Sequence, residues 1–276
     1  MRESIQFHRF PRDGVDAMTA VTARSFPRHT HDQYGIGVVD HGGHASCSDR
    51  KQVEAGPGSL IFVNPGEVHD GHAIQGQART WRMLYFDPAL LQEARAEISE
   101  RIEPDFMFAS AVFDDASLRQ LFNAAFAHTH ATPRDACEAM ACEAALLHLA
   151  ARMAVNGTVR PQRAAPAGSV QRARTRIDDD PTAMLTLTGL AEESGLSRYQ
   201  LLRGFSRECG LTPHAYLLQQ RLALARQLIR TGMPLAQAAT DAGFYDQSHL
   251  SRCFHRQFGV TPGRYLASRT FIQEPH

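Results

Sequence analysis

Arginine and histidine carry most of the chemistry this sequence offers. Arg203 and Arg252 hold matched places in two related segments, GLSRYQLLRGFSRECGLTPHAYL and GFYDQSHLSRCFHRQFGVTPGRYL. A guanidinium stays charged at any working pH, and its planar fork fits the O6 and N7 atoms of guanine in a DNA major groove. If both segments are helical, Arg198, Tyr199, Leu202 and Arg203 share the outer side of the first. Gln247, Ser248, His249, Ser251 and Arg252 share that of the second. Gln247 could pair through two hydrogen bonds with adenine, and Arg198 suits a phosphate. Nearer the N-terminus, His29 and His31 are two apart, so a strand would turn both imidazoles to one side. His69 and His72 follow at a Pro-Gly turn. Imidazoles so grouped can hydrogen-bond a small molecule or hold a divalent metal.

Helices joined by tight turns must position the arginines. From Leu201 and Leu250 onward the two segments match at one offset of 49 residues: Arg203 with Arg252, Phe205 with Phe254, Gly210 with Gly259, Tyr216 with Tyr265. That is an internal duplication. Each copy opens with a short helix holding Ala191 or Ala239 four residues before Gly195 or Gly243. The small side chain admits a second helix, and the glycine reverses the chain at φ > 0. Ser197 and Asp246 cap the next helix, Leu201/Phe205 and Leu250/Phe254 face its core, and Gly210 or Gly259 stops it. A Thr-Pro pair then restarts the chain as helix. Helix, glycine turn and capped helix make a helix-turn-helix, whose second helix enters the major groove. Residues 213–230 predict one helix of about 27 Å between the copies, a spacer near the ~34 Å repeat of successive groove faces.

Charge supports the same division. The chain is neutral overall, yet residues 171–276 hold 13 arginines, no lysine and 9 carboxylates, against 16 basic and 20 acidic side chains before them. A basic C-terminal third suits an anionic partner. With 43% hydrophobic and 21% charged residues the composition is globular. Charges interrupt every long apolar run, so no membrane partner is expected. MRESIQFHRFPRDG lacks a secretory core, and five cysteines without a CxxC pair suit a reducing cytoplasm.

Residues 15–86 read as strands. In TWRMLYFDP, Trp81, Met83 and Tyr85 face one way and Arg82, Leu84 and Phe86 the other. Helical windows follow near 88–98, 115–128 and 135–155, and 156–171 has no periodicity and reads as linker. The expected fold class is α+β in two domains: residues 1–158, a linker at 159–171, and an all-α domain at 172–276 with two helix-turn-helix units joined by a long helix.

The segments LAEESGLSRYQLLRGFSRECGLTPHAYL, RLALARQLI and AGFYDQSHLSRCFHRQFGVTPGRYL closely resemble the DNA-binding domain of the AraC family of bacterial transcription regulators. Gly204 departs from it, standing where that family has a larger apolar residue; this predicts a looser first recognition helix. PGEVHDG and YFDP resemble the cupin-like effector domain of the same family, which implies a small β-barrel with packed helices. The resemblance implies a regulator of double-stranded promoter DNA controlled by a small-molecule effector, with RNA polymerase as a partner if it activates. His29, His31, Tyr34, His69, Trp81 and Met83 are the candidate effector-binding residues; ordinary core is the competing reading of Trp81 and Met83. Metal-binding cupins carry a glutamate soon after their His-x-His pair, and DQYGIGVV has none. No cofactor is therefore expected, and His29, His31 and His69 as a metal set remain the alternative. The helix at 135–155 is apolar round most of its circumference, consistent with a homodimer contact or with burial inside the chain. Two further readings stand beside the regulator: a cupin metalloenzyme with a DNA-binding appendage, and a DNA-binding protein whose barrel only dimerises. No catalytic constellation is legible, so the protein is not expected to be an enzyme.

Overall fold

The computed structural model describes residues 3–48, 51–98, 106–130, 133, 135–156, 158–159 and 168–269. Residues 1–27 and 31–161 fall in one compact unit, and residues 28–30 with 162–267 in another.

The strand-rich unit contains β1 (Ser4–Arg9), β2 (Val15–Thr22), β3 (Phe26–His29), β4 (Tyr34–His41), β5 (His44–Ser48), β6 (Lys51–Ala55), β7 (Leu60–Val63), β8 (His69–Ala73) and β9 (Arg79–Phe86). Helix α1 (Pro88–Ile98), short strands β10 (Phe106–Met107) and β11 (Val112–Phe113), α2 (Ala116–Phe126), α3 (Ala136–Asn156) and β12 (Thr158–Val159) complete it. Three sheets result among the described residues, with strand orders β1-β2-β9-β4-β7-β11, β3-β8-β5-β6 and β10-β12. They agree with the cupin-like expectation. Strand β1 lies ahead of the stretch read as strands.

The central strands of the six-stranded sheet are buried on both faces, with different chemistry on each. Val15 and Ala17 of β2, Ile36 and Val38 of β4, Leu60 and Phe62 of β7, and Leu84 and Phe86 of β9 share one face. They form an apolar core with Leu118 and Phe122 of α2 and Leu146, Leu149 and Met153 of α3. The opposite face of β9 carries Arg79, Trp81, Met83 and Tyr85, all buried. Gly35 and Gly37 pair with Tyr85 and Met83. A Cβ at Gly37 would fall 2.1 Å from the Met83 sulfur and 2.5 Å from the Arg82 carbonyl oxygen, so only glycine admits Met83 there.

The second unit is helical: α4 (Gly168–Asp179), α5 (Leu187–Glu193), α6 (Arg198–Cys209), α7 (Pro213–Arg230), α8 (Leu235–Asp241), α9 (Gln247–Phe258) and α10 (Pro262–Arg269). Helix α4 begins inside the stretch read as linker, because Val170, Ala173 and Ile177 supply a buried stripe at helical spacing. Residues 160–167 of that linker lie outside the described residues. No helix among the described residues is long and apolar enough to cross a membrane.

Candidate functional site

Local rules build the two helix-turn-helix units. Gly195 and Gly243 turn the chain at φ +66° and +78°, and Gly210 and Gly259 end α6 and α9 at +76° and +74°. Ser197 forms a reciprocal capping box with Gln200 at the start of α6. Asp246 accepts from the His249 backbone N–H at 2.6 Å at the start of α9. Leu201, Phe205, Leu250 and Phe254 are wholly buried. The duplicated tyrosines have the same job: Tyr216 meets Phe205 edge-on at 5.5 Å, and Tyr265 packs on Phe254 at 5.6 Å.

Those buried faces leave the expected DNA-facing side chains outward. Arg198, Tyr199, Leu202 and Arg203 are exposed on α6, and Arg203 reaches back over the Tyr199 ring at 6.0 Å. On α9, Gln247, Ser248 and Arg252 are exposed, while Ser251 is half-buried. His249 is half-buried and makes an edge contact at 5.3 Å with Phe244, which is buried in the turn before α9. Tyr245, 92% exposed just ahead of α9, belongs to the same surface. Sequence reading passed over it because it precedes the cap.

Two arginines also missed from sequence hold the turns. Arg172 of α4 donates through Nη2 to the Ser194 carbonyl at 2.8 Å. Arg221 of α7 donates through Nη1 to Gly243 at 2.6 Å, through Nε to Pro181 at 2.7 Å and through Nη2 to Ala183 at 3.0 Å. They too stand 49 residues apart, so the duplication reaches back into the helix that leads each unit. Gly204 has a packing reason. A Cβ there would sit 3.0 Å from a Val170 methyl, so the glycine lets α4 approach closely. Around Tyr216, the hydroxyl donates to Asp178 at 2.7 Å and accepts from Arg174 Nε at 3.2 Å, tying α7 to α4. Burial, reinforced by the Asp178 bond, raises the Tyr216 hydroxyl far above its usual range.

In the strand-rich unit, Trp81 and Met83 face away from the helices, as the alternation predicts. Tyr34 does not join them. It sits on the helix-side face of β4, edge-on to Phe108 at 6.0 Å, because β4 places it in phase with Ile36 and Val38. Ligand nitrogens of His29, His31 and His69 lie within 4.8 Å of one another. His31 stacks on His69 at 5.1 Å and tilts against Tyr85 at 5.1 Å. A carbonyl can only accept, so the 3.1 Å contact of His69 Nδ1 with the Glu67 oxygen puts the proton on Nδ1 and leaves Nε2 as an acceptor. Burial lowers the His69 pKa to about 4, so the ring is neutral at pH 7. A zinc-class ion holds nitrogens at ~2.0–2.1 Å, so an ion between the three would draw them closer than they stand.

The other end of this face is cationic. Arg79 donates through Nε to His44 Nδ1 at 3.0 Å and lies over the Trp81 ring at 4.8 Å. Phe26 meets Trp81 edge-on at 6.1 Å. Nothing in the sequence singled out Arg79 or His44.

Two family descriptions match the chain: "AraC-like ligand binding domain" over residues 18–150 and "Helix-turn-helix domain" over residues 190–268. An uncharacterized HTH-type transcriptional regulator of Bacillus subtilis, YbfI, is 28% identical over 231 residues, which span 82% of each chain. RhaS of Pectobacterium carotovorum, an HTH-type transcriptional activator, is 25% identical over 94% of this chain and 93% of its own. Crystal structures of ToxT from Vibrio cholerae share the fold at low identity. Apo ToxT covers 95% of this chain with a TM-score of 0.57 at 12% identity, and unsaturated fatty acid-bound ToxT covers 100% with 0.55 at 13%.

Proposed function

The chain belongs to the AraC family of DNA-binding transcription regulators, and from that premise we propose how its two units divide the work. Helices α6 and α9 each enter one major-groove segment of promoter DNA. Arg203 and Arg252 contact guanine edges, Gln247 pairs with adenine, and Arg198 holds a phosphate. Tyr199, Leu202, Ser248, His249 and Ser251 complete the contact surfaces. One observation carries this reading: two capped helices at the same repeat position each bury a Leu/Phe pair and turn an arginine outward.

The strand-rich unit binds a small effector on the buried face carrying Trp81, Met83, His29, His31 and His69. The fatty acid in ToxT supports a small ligand as the signal. A ligand shifts the regulator only by binding its active and inactive arrangements unequally. The relatives are regulators rather than enzymes, and the place of action is the bacterial cytoplasm, with RNA polymerase as partner at activated promoters. Met140 and Leu147, seven apart and 66% and 38% exposed, put an apolar stripe on the outer face of α3. Pairing of two copies through that stripe would present two DNA-reading units to one operator.

Selection of bound fragments from genomic DNA tests the reading. Wild-type protein should enrich a motif of two boxes about one helical turn apart, with Arg203→Ala relaxing one box and Arg252→Ala the other. Both variants relaxing the same box, or neither changing the motif, would remove these residues from base recognition. Selection repeated with cell extract tests for an effector requirement.

A further inference from the structure

Arg79 is fully buried, and its Nη1 and Nη2 atoms have no hydrogen-bond partner among the described residues. No carboxylate among them forms an ion pair with it. Arg82, three residues on and facing the helices, shows the ordinary alternative: its guanidinium grips both Asp40 oxygens at 2.7–3.2 Å and also reaches Asn123. A buried guanidinium with two idle nitrogens is costly unless an anion meets it. Burial alone lowers the Arg79 pKa, to about 10, so the charge persists at pH 7.

The neighbours define what could meet it. Arginine only donates, so His44 Nδ1 accepts from Nε and the His44 proton lies on Nε2. Burial, then the Arg79 charge, holds the His44 pKa at about 4, leaving the ring neutral with one N–H on Nε2. Gly71 of β8 faces the pair. A Cβ there would come within 3.2 Å of His44 Cε1, 3.7 Å of Nε2 and 3.6 Å of Arg79 Nη2, so any side chain at this position would crowd both groups. Trp81, Phe26 and Met83 supply flat or apolar surface along the same face.

We propose that Arg79 and His44 clamp the carboxylate of a small organic acid whose flat apolar body lies along Trp81. This rests on the effector-binding reading of the strand-rich unit and names the effector's chemical class. The two Nη donors take one or both carboxylate oxygens in the fork geometry that favours planar anions. One guanidinium and one neutral imidazole N–H beside the Trp81 ring, with the Asp70 carboxylate also acting on His44, suit a monoanion better than a phosphate dianion.

Trp81 is the single tryptophan of the chain, so intrinsic fluorescence reports directly on this site. Full-length protein is titrated with benzoate, phenylacetate and octanoate, each beside its primary amide, and with formate, inorganic phosphate and matched sodium chloride. At least one carboxylate should change Trp81 fluorescence saturably and raise the thermal midpoint, with its amide at least tenfold weaker. Arg79→Gln should abolish that preference without lowering the midpoint of the unliganded protein. Gly71→Val, which leaves both donors in place but covers them, should weaken carboxylate binding at least tenfold. Amides binding as tightly as acids would overturn the anion clamp while leaving an effector site standing. Phosphate binding tighter than every carboxylate would overturn the class. If no probe, formate included, exceeds the chloride control, the clamp is wrong, and DNA selection with extract separately decides whether an effector is needed. An Arg79→Gln protein that unfolds while Gly71→Val binds carboxylates like wild type would make Arg79 a structural residue.

Discussion

Gly195 and Gly243 provide a controlled comparison, because they do the same job in two copies of one unit with different surroundings. Both have positive φ, +66° and +78°, so alanine at either pays the left-handed cost of about 1–2 kcal/mol. At Gly195 a new Cβ meets nothing nearer than the flexible tip of Arg172 at 3.8 Å. At Gly243 it would lie 3.0 Å from Arg221 Nε and 3.1 Å from the Thr182 Cα, which is backbone. Arg221 cannot retreat without loosening its bonds to three carbonyls. Overpacking of this kind adds roughly 1–3 kcal/mol. Gly195→Ala should therefore cost about 1–2 kcal/mol and Gly243→Ala about 2–5. Urea unfolding followed by circular dichroism at 222 nm reads mainly helix, while Trp81 fluorescence follows the strand-rich unit and should keep its midpoint in both variants. Gly243→Ala should also weaken the DNA box read by α9 more than the box read by α6. Equal losses in the two variants would refute the claim that Arg221 locks the second turn.

Acid should weaken the strand-rich unit. His44 and His69 have folded pKa values of about 4, below the ordinary 6.5, so the unfolded chain binds more protons between those limits and stability falls as pH drops from 6.5 to 4, by up to about 3 kcal/mol for each ring. Urea midpoints by Trp81 fluorescence at pH 7.5, 5.5 and 4.5 measure this; His69→Gln should flatten the slope, and an unchanged slope would remove that ring as a cause. Met140→Glu with Leu147→Glu should abolish self-association in sedimentation without lowering the thermal midpoint, whereas an unaltered dimer would place its interface elsewhere. Operator affinity should fall linearly with the logarithm of salt, and Arg198→Ala should reduce that slope by about one unit because it removes one phosphate contact; an unchanged slope would take Arg198 off the backbone.

The helical unit was legible because its rules are local. Caps, glycine stops, Thr-Pro restarts and four-residue apolar spacing all act within one or two turns of helix, and the duplication shows each twice. Arg172 and Arg221 escaped because their partners are carbonyls, which any residue carries. Tyr34 was misplaced for a different reason. Proximity in sequence to His29 and His31 says nothing about strand phase, and a one-residue shift moves a side chain to the opposite face.

Arg79 marks the limit of that legibility. Periodicity assigns Trp81, Met83 and Tyr85 to one face, and two residues before Trp81 the same phase places Arg79 beside them. In a strand buried on one face only, that phase would make arginine an error. Here both faces are covered, the helices taking the apolar one and the second sheet the other, so the pattern cannot say which face tolerates a charge. The three-dimensional accounting of donors and acceptors does: Arg82 finds Asp40 on the helix side, while two donors of Arg79 have no partner among the described residues. An ion-paired guanidinium and one with two idle nitrogens, on opposite faces of one strand, separate an arginine that supports the fold from the one proposed to meet a ligand.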